Sequence, residues 1–313
     1  MKLASFQLKS ADPAPRIGAL HAGQMLDLTH FAHGPASVRA MLTNTAQGIA
    51  WARAALLRAD REPASASAHL HALDAITLLA PIADADKFIC VGKNYRTHLE
   101  ELKRTNLIKE MPEEPTGFIK TNACLIGSDA DVVRPRDVSA LDYEPELVFV
   151  IGKPAFRVPK GISVEAALDY VAGITILNDL TCRDTQKREV ASGSRFWTAK
   201  NATGFGPLGP YIITMDEVAD PYNIWVTCHV NGTERMRVNT SEQIWKINDI
   251  LAHFSRLVPL LPGDMFSTGA PGGVAVGKAN AADLFLKPDD IVDCGFEAPA
   301  MNLRNKIIAD LSE

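Results

Sequence analysis

The stretch Leu141-Asp-Tyr-Glu-Pro-Glu-Leu-Val-Phe-Val-Ile151 carries two acidic residues straight into an apolar run. Extended, it places Glu144, Glu146, Val148 and Val150 on one face and Tyr143, Leu147, Phe149 and Ile151 on the other, because side chains alternate along a strand. Both faces become apolar, so the strand reads as buried on both sides. For an arbitrary Glu-x-Glu, a solvated strand start is the commoner meaning. Here the pair runs directly into a buried strand, where two like charges on one face repel unless a cation sits between them, and a hard divalent ion meets that need.

A third ligand is expected from a neighbouring strand end. Tyr170-Val-Ala-Gly-Ile-Thr-Ile-Leu-Asn-Asp179 is an apolar strand that finishes on Asp179, a residue that on its own is also a common turn or helix N-cap. Carboxylates without His or Cys partners suit Mg2+, Mn2+ or Ca2+ rather than Zn2+. Mg2+ keeps waters that a chelating, oxygen-rich substrate can replace.

Outward from this pair the chain reads as many short strands with few helices. Strands are expected at 88–91, 147–151, 171–178, 211–214, 224–230, 234–238 and 291–296, and Asn231-Gly232 signals a type I′ hairpin. A helix is expected to start at Thr240, with Thr240 and Gln243 as a capping box, Ile244, Ile247, Leu251, Phe254 and Val258 as its apolar face, and Pro259 and Pro262 ending it. The first eighty residues look separate: a small antiparallel sheet, a helix over 46–59 carrying Ile49, Ala52, Arg53, Leu56 and Leu57, then a linker-like Pro63-Ala-Ser-Ala-Ser-Ala68. The chain lacks the strand–helix alternation of a doubly wound sheet and any solenoid repeat, so the expected class is α+β, mainly β. A small amino-terminal α+β domain over 1–83 and a larger domain over 84–313 are expected.

The 313 residues hold 32 Lys+Arg against 37 Asp+Glu, a net charge of −5, which offers no broad basic surface for nucleic acid or an anionic membrane. A hydrophobic share of 47% with 22% charged residues supports a large core and excludes disordered and fibrous classes. Cys90, Cys124, Cys182, Cys228 and Cys294 show no Cys-x-x-Cys spacing and read as reduced core thiols. Without a long apolar stretch near the first residues or an apolar run of about 18 residues, a cytoplasmic enzyme or binding protein is expected.

Eight motifs follow in an order that resembles the fumarylacetoacetate hydrolase family from about Lys87 to the end. They are Phe88-Ile-Cys-Val-Gly-Lys-Asn-Tyr-Arg-Thr-His-Leu-Glu-Glu101, Tyr143-Glu-Pro-Glu-Leu147, the stretch from Gly173 to Gln186, Phe196-Trp-Thr-Ala-Lys200, Gly206-Pro-Leu-Gly-Pro210, Val230-Asn-Gly232, Leu261-Pro-Gly-Asp264 and Leu303-Arg-Asn305. Each is weak alone; the ordered set is specific. The resemblance implies a mixed β-roll catalytic domain with the site inside it, and Mg2+ or Mn2+ on Glu144, Glu146 and Asp179. It also implies no organic cofactor, a homodimer, and a small-molecule 2-oxo acid substrate with a second carbonyl, or a related enol or sugar-derived acid.

His98 and Glu101, three apart, can meet on one helical turn, although His98-Leu-Glu-Glu-Leu-Lys-Arg104 equally describes an ordinary solvated helix. The resemblance implies a His–Glu dyad on a mobile lid, with His98 as the base for water, and the length and charge of 100–114 fit a segment that closes over ligand. It also implies that Lys200 faces the substrate, where its ammonium stabilises an enolate or donates a proton. Arg183 and Gln186 flank Asp179 on what reads as one helix face and are substrate-binding candidates, with Tyr95 and Lys120 weaker ones. Family members carry Thr-Gly-Thr-Pro where this chain has Thr268-Gly-Ala-Pro271, so only backbone amides remain near Ala270 for the substrate. Gly272-Gly-Val-Ala-Val-Gly-Lys-Ala279 mimics a phosphate loop but lacks its Ser/Thr, and reads as a turn whose amides face a substrate carboxylate. The leading expectation is hydrolysis of a C–C bond in a 2,4-dioxo acid (an acylpyruvate or a diketo-deoxy sugar acid) through a metal-chelated enolate. Decarboxylation, isomerisation or dehydration at the same site remains open, as does a non-catalytic binding protein of this fold.

Overall fold

The computed structural model describes residues 1–10, 14–31, 33–104, 112–194 and 197–311. Pro145–Ile151 and Val171–Asn178 pair antiparallel, Pro145 opposite Asn178 and Phe149 opposite Ile174, and every residue of both is buried. β-Branched and aromatic side chains fill both faces, and each large one contributes about 1.5–3 kcal/mol when fully buried. The strand end that carries the acidic residues is therefore anchored on two sides.

These strands lie within a twelve-stranded mixed sheet. Its order is Leu70–His71, Gln24–Asp27, Arg16–His21, Lys2–Leu8, Gly206–Thr214, Val171–Asn178, Pro145–Ile151, Met265–Ser267, Phe88–Gly92 and Thr116–Ile119. Ile76–Leu79 adds to Lys2–Leu8, and Leu125–Ile126 to Gly206–Thr214. A five-stranded sheet runs Thr233–Asn239, Trp225–Val230, Ile291–Phe296, Met301–Ala309 and Asp131–Arg134. Two cores result. Leu147, Phe149 and Ile151 pack with Val226, Cys228, Val292 and Cys294 of the smaller sheet, whereas Val148 and Val150 pack with Leu3, Leu26, Leu42 and Ala52. The face that begins with the two glutamates is thus covered by residues from the first eighty.

The segment 1–83 shares its sheet with 84–313, because Lys2–Leu8 hydrogen-bonds Gly206–Thr214. Its helix spans Thr45–Arg61 and buries Gly48, Ala52, Ala55 and Ala59, while Leu57 is exposed and Arg53 pairs with Asp216. The small side chains dominate the inward face and let the backbone approach the core closely, with Ile49 and Leu56 partly buried against it and Leu57 turned outward. The linker expected over Pro63–Ala68 is instead the short helix Pro63–Ala66 followed by a 3-10 turn, Ser67–His69. Asn231 and Gly232 have φ of 52° and 76°, as a type I′ hairpin turn requires.

The helix expected from Thr240 begins at Ile247, with Lys246 as N-cap and Asp249 closing back on it. Thr240 is tied elsewhere: its hydroxyl donates to the Pro221 carbonyl and accepts from Ile224 N–H. Gln243 turns inward to Tyr95. Cys90, Cys124, Cys182, Cys228 and Cys294 are buried free thiols, and no helix among the described residues is long and apolar enough to cross a membrane.

Candidate metal and catalytic site

Glu144 and Asp179 are fixed by backbone hydrogen bonds where their strands meet. Asp179 N–H donates to the Glu144 carbonyl at 2.8 Å, and Glu144 N–H donates to Asn178 Oδ1 at 2.9 Å. Glu146 sits opposite Leu177 in the ladder. The three carboxylates converge, one oxygen from each lying within 4.8 Å of the others, and all three residues are buried. At about 4 Å, like charges repel by about 4 kcal/mol even at an effective dielectric near 20, so the cluster requires positive charge.

The chain supplies part of it. Lys200 Nζ donates to Glu144 Oε2 and Asp179 Oδ2, both at 2.5 Å, and to Thr181 Oγ1 at 2.7 Å. Lys120 Nζ donates to Asp179 Oδ1 at 2.8 Å. Arg183 reaches Glu144 Oε1 at 2.5 Å and Asp142 Oδ2 at 2.7 Å. Burial alone would raise the Glu144 carboxyl, but Arg183 and Lys200 outweigh it and hold that group well below the usual carboxylate range. Burial likewise works against the Lys200 ammonium, and Asp179 and Glu144 overcome it, pushing its pKa up.

Glu146 is different. Its Oε2 accepts from the Ser267 hydroxyl and, at 3.2 Å, from Gly269 N–H, and among the described residues it has no cation in contact. Burial, then Asp179 and Glu144, push its carboxyl well above the usual range. Lys200, Lys120 and Arg183 contact Glu144, Asp179 and Asp142. Glu146 is the carboxyl of the cluster that none of the three contacts. Three convergent carboxylates with one uncompensated fit a hard divalent ion, with Glu144, Glu146 and Asp179 as the residues that would hold it.

The second constellation lies on the helix Arg96–Arg104. His98 is buried, with Nδ1 3.5 Å from Glu101 Oε2. Glu101 Oε1 accepts from Gly273 N–H at 2.8 Å, and Thr97 Oγ1 from Gly272 N–H at 3.2 Å, so the helix rests on the glycine-rich loop. A Cβ added at Gly277 would lie 2.6 Å from Glu101 Oε2. Gly277→Ala is therefore expected to displace the Glu101 carboxylate while leaving the fold intact, and to lower turnover about tenfold or more. An unchanged rate with a folded protein would show that Glu101 need not occupy this position. The expected lid of 100–114 extends into residues 105–111, which lie outside the described residues, as do Arg195 and Phe196.

Several sequence expectations are redirected. Tyr95 is fully buried and binds Gln243 Nε2 at 3.1 Å and Thr268 Oγ1 at 3.4 Å, away from direct contact with the three carboxylates. Arg183, proposed for substrate, is occupied by Asp142, Glu144 and Gln186, and Gln186 in turn accepts from Arg183 at 2.9 Å. Lys120 serves Asp179. Ala270 is buried just past Gly269, whose amide is committed to Glu146. The amides of the glycine-rich loop are also taken, by Glu101 and by Asp142, rather than left for a substrate carboxylate. Asp142, Thr181 and Ser267 were missed. For Asp142 the signal was present, since it shares the alternation of Glu144 and Glu146.

This fold and site define a fumarylacetoacetate hydrolase-type protein. The family's C-terminal model, described as fumarylacetoacetate (FAA) hydrolase, matches residues 87–308, and the chain belongs to that family. It is 34% identical over 297 residues to the mitochondrial oxaloacetate tautomerase fahd2 of Xenopus laevis, covering 94% of this chain and 86% of that protein. The fumarylacetoacetate hydrolase of Exiguobacterium antarcticum superposes with a TM-score of 0.75 at 29% identity, over 99% of this chain and 100% of that one. The maleylpyruvate hydrolase of Sphingobium sp. SYK-6, solved in complex with manganese(II) ion and pyruvate, shares the fold with a TM-score of 0.74 at 23% identity, over 99% of each chain. The relatives are thus tautomerases and hydrolases, and the chain is a member of a family of enzymes.

Proposed function

We propose that the protein is a divalent-metal-dependent tautomerase of a 2-oxo acid, interconverting the keto and enol forms of an oxaloacetate-like substrate. The observation that carries this reading is the buried Lys200 ammonium bound to two of three convergent carboxylates, in a chain that also holds a His98–Glu101 pair. The relatedness to an oxaloacetate tautomerase over 94% of the chain supports the choice of reaction. Mg2+ or Mn2+ on Glu144, Glu146 and Asp179 would supply Lewis-acid stabilisation of negative charge on the 2-oxo oxygen.

The chain's own residues do the rest. Glu101 lies on the Nδ1 side of His98, leaving Nε2 to take a proton from C3 of the keto form and to return one to it from the enol. Lys200 Nζ, its three protons committed to Glu144, Asp179 and Thr181, lends positive charge to the site as the enol forms, and the proton on the C2 oxygen, like the one taken up by His98, is exchanged with solvent. Replacing this ammonium, as in Lys200→Met, leaves Glu144 and Asp179 short of a buried partner. It is expected to cost about 3–5 kcal/mol of metal-free stability, partly recovered on adding Mg2+, and about 10²–10³-fold in turnover, the loss typical of an oxyanion donor. Thermal melts and initial rates check both.

The His98–Glu101 pair also favours a second reading, hydrolysis of an acylpyruvate with His98 deprotonating water. Two assays separate them: decay of oxaloacetate enol absorbance, and product analysis of an acylpyruvate. Accelerated enol decay with an intact acylpyruvate supports the tautomerase. The reverse supports hydrolysis, and metal binding with neither activity would leave a binding protein. Assembly as a homodimer belongs to the same proposal and is read by light scattering.

A further inference from the structure

We infer that Asp142 is a positioning residue that couples ion occupancy at Glu144 to the seating of the His98–Glu101 helix. The inference rests on the metal reading proposed above and goes beyond it. Asp142 is completely buried and makes bonds in two directions. Toward the carboxylate cluster, its Oδ2 accepts from Arg183 Nε at 2.8 Å and lies 2.7 Å from Nη2, the same nitrogen that donates to Glu144 Oε1. Toward the glycine-rich loop, Oδ1 accepts from Ala275 N–H at 2.9 Å and Oδ2 from Val276 N–H at 3.0 Å. That same loop, at Gly272 and Gly273, holds Thr97 and Glu101 of the helix.

A continuous set of hydrogen bonds therefore runs from Glu144 through Arg183, Asp142 and the 272–277 turn to Glu101, without a gap or an exposed link. Every atom that Asp142 contacts is a donor in fixed geometry: the guanidinium fork on one side and two consecutive amides of the turn Ala275–Gly277 on the other. A carboxylate can accept through both oxygens at once. An amide whose oxygen takes the Oδ2 place keeps Arg183 and Val276, but its nitrogen, a donor, then faces the Ala275 N–H and the charge opposite Arg183 is gone, so the turn is no longer seated as before. A shift of Arg183 when Glu144 takes up an ion is thus passed to the turn that seats Glu101, and by thermodynamic reciprocity a disturbance at Glu101 is felt at the ion.

The test is hydrogen exchange of segments 96–101 and 272–277, with and without Mg2+, in the parent and in Asp142→Asn, alongside Mg2+ titration of each. The parent is expected to show slower exchange in both segments on adding Mg2+. Asp142→Asn is expected to lose that Mg2+-dependent change, and its Mg2+ affinity to fall about 5-fold or more, the lower end of allosteric couplings. A merely structural role would loosen 272–277 equally with and without Mg2+. Should Asp142→Asn fail to fold, Gly277→Ala probes the other end of the chain of bonds, and its Mg2+ affinity is expected to fall by a similar factor. A folded Asp142→Asn with the parent's Mg2+ response, or a Gly277→Ala with the parent's affinity, overturns the coupling alone. A parent that takes up neither Mg2+ nor Mn2+ overturns the metal reading and the coupling with it.

Discussion

Glu146→Gln is expected to abolish Mg2+ and Mn2+ binding, to lower turnover by at least about 10³-fold, and yet to raise the melting temperature of the metal-free protein. The opposing signs follow from one fact: Glu146 is the carboxylate that lacks a cation. Burial and the neighbouring Asp179 and Glu144 oppose its ionisation, so a neutral amide relieves repulsion that the metal-free fold otherwise carries. The amide can still accept from Ser267 and from Gly269 N–H. About 1 kcal/mol of relief corresponds to about 2–4 °C in a protein of 150–250 residues, and somewhat less in a longer chain. The loss of turnover corresponds to about 4 kcal/mol of charge stabilisation that only the ion supplies. Melting with and without Mg2+ reads both signs in one experiment. A drop in metal-free stability, or a surviving Mg2+-dependent shift, would contradict the assignment.

His98→Ala is expected to slow the reaction about 10²–10⁴-fold, the usual contribution of a positioned acid–base group, while Mg2+ still binds. The loss should appear in kcat more than in KM, because the role assigned to His98 is to move a proton rather than to hold the substrate. Glu101→Gln keeps the hydrogen bond from Gly273 but removes the charge beside His98 Nδ1, so a smaller loss is expected there. Undiminished turnover in metal-replete His98→Ala would remove the imidazole from the scheme.

What could be read from the sequence, and what could not, separates along physical lines. Val171–Asn178 and Ile291–Phe296 were legible to the residue because β-branched runs are bounded by residues that break the pattern. The hairpin at Asn231-Gly232 was legible because two successive positive φ angles call for those residue types. The three acidic residues were legible as a group because alternation and a strand end fix their direction. Long-range pairing leaves no such local trace. Nothing near Lys2–Leu8 announces Gly206–Thr214 as its neighbour, and the helix expected from Thr240 starts later because Thr240 and Gln243 find tertiary partners in place of the cap. Alternation with Glu144 and Glu146 marks the direction of Asp142 but not its partners Arg183, Ala275 and Val276, which lie far along the chain. The glycine-rich loop was read for its free amides, and the fold has already committed those of Gly273, Ala275 and Val276 to internal carboxylates.

The central claim is that Glu144, Glu146 and Asp179 jointly hold one hard divalent ion. An anomalous difference map from a crystal grown with Mn2+ tests it most directly. The claim predicts a single strong peak in the chain's interior, in contact with an oxygen of each of the three residues. A peak elsewhere, or no peak with the three carboxylates turned apart, would contradict it.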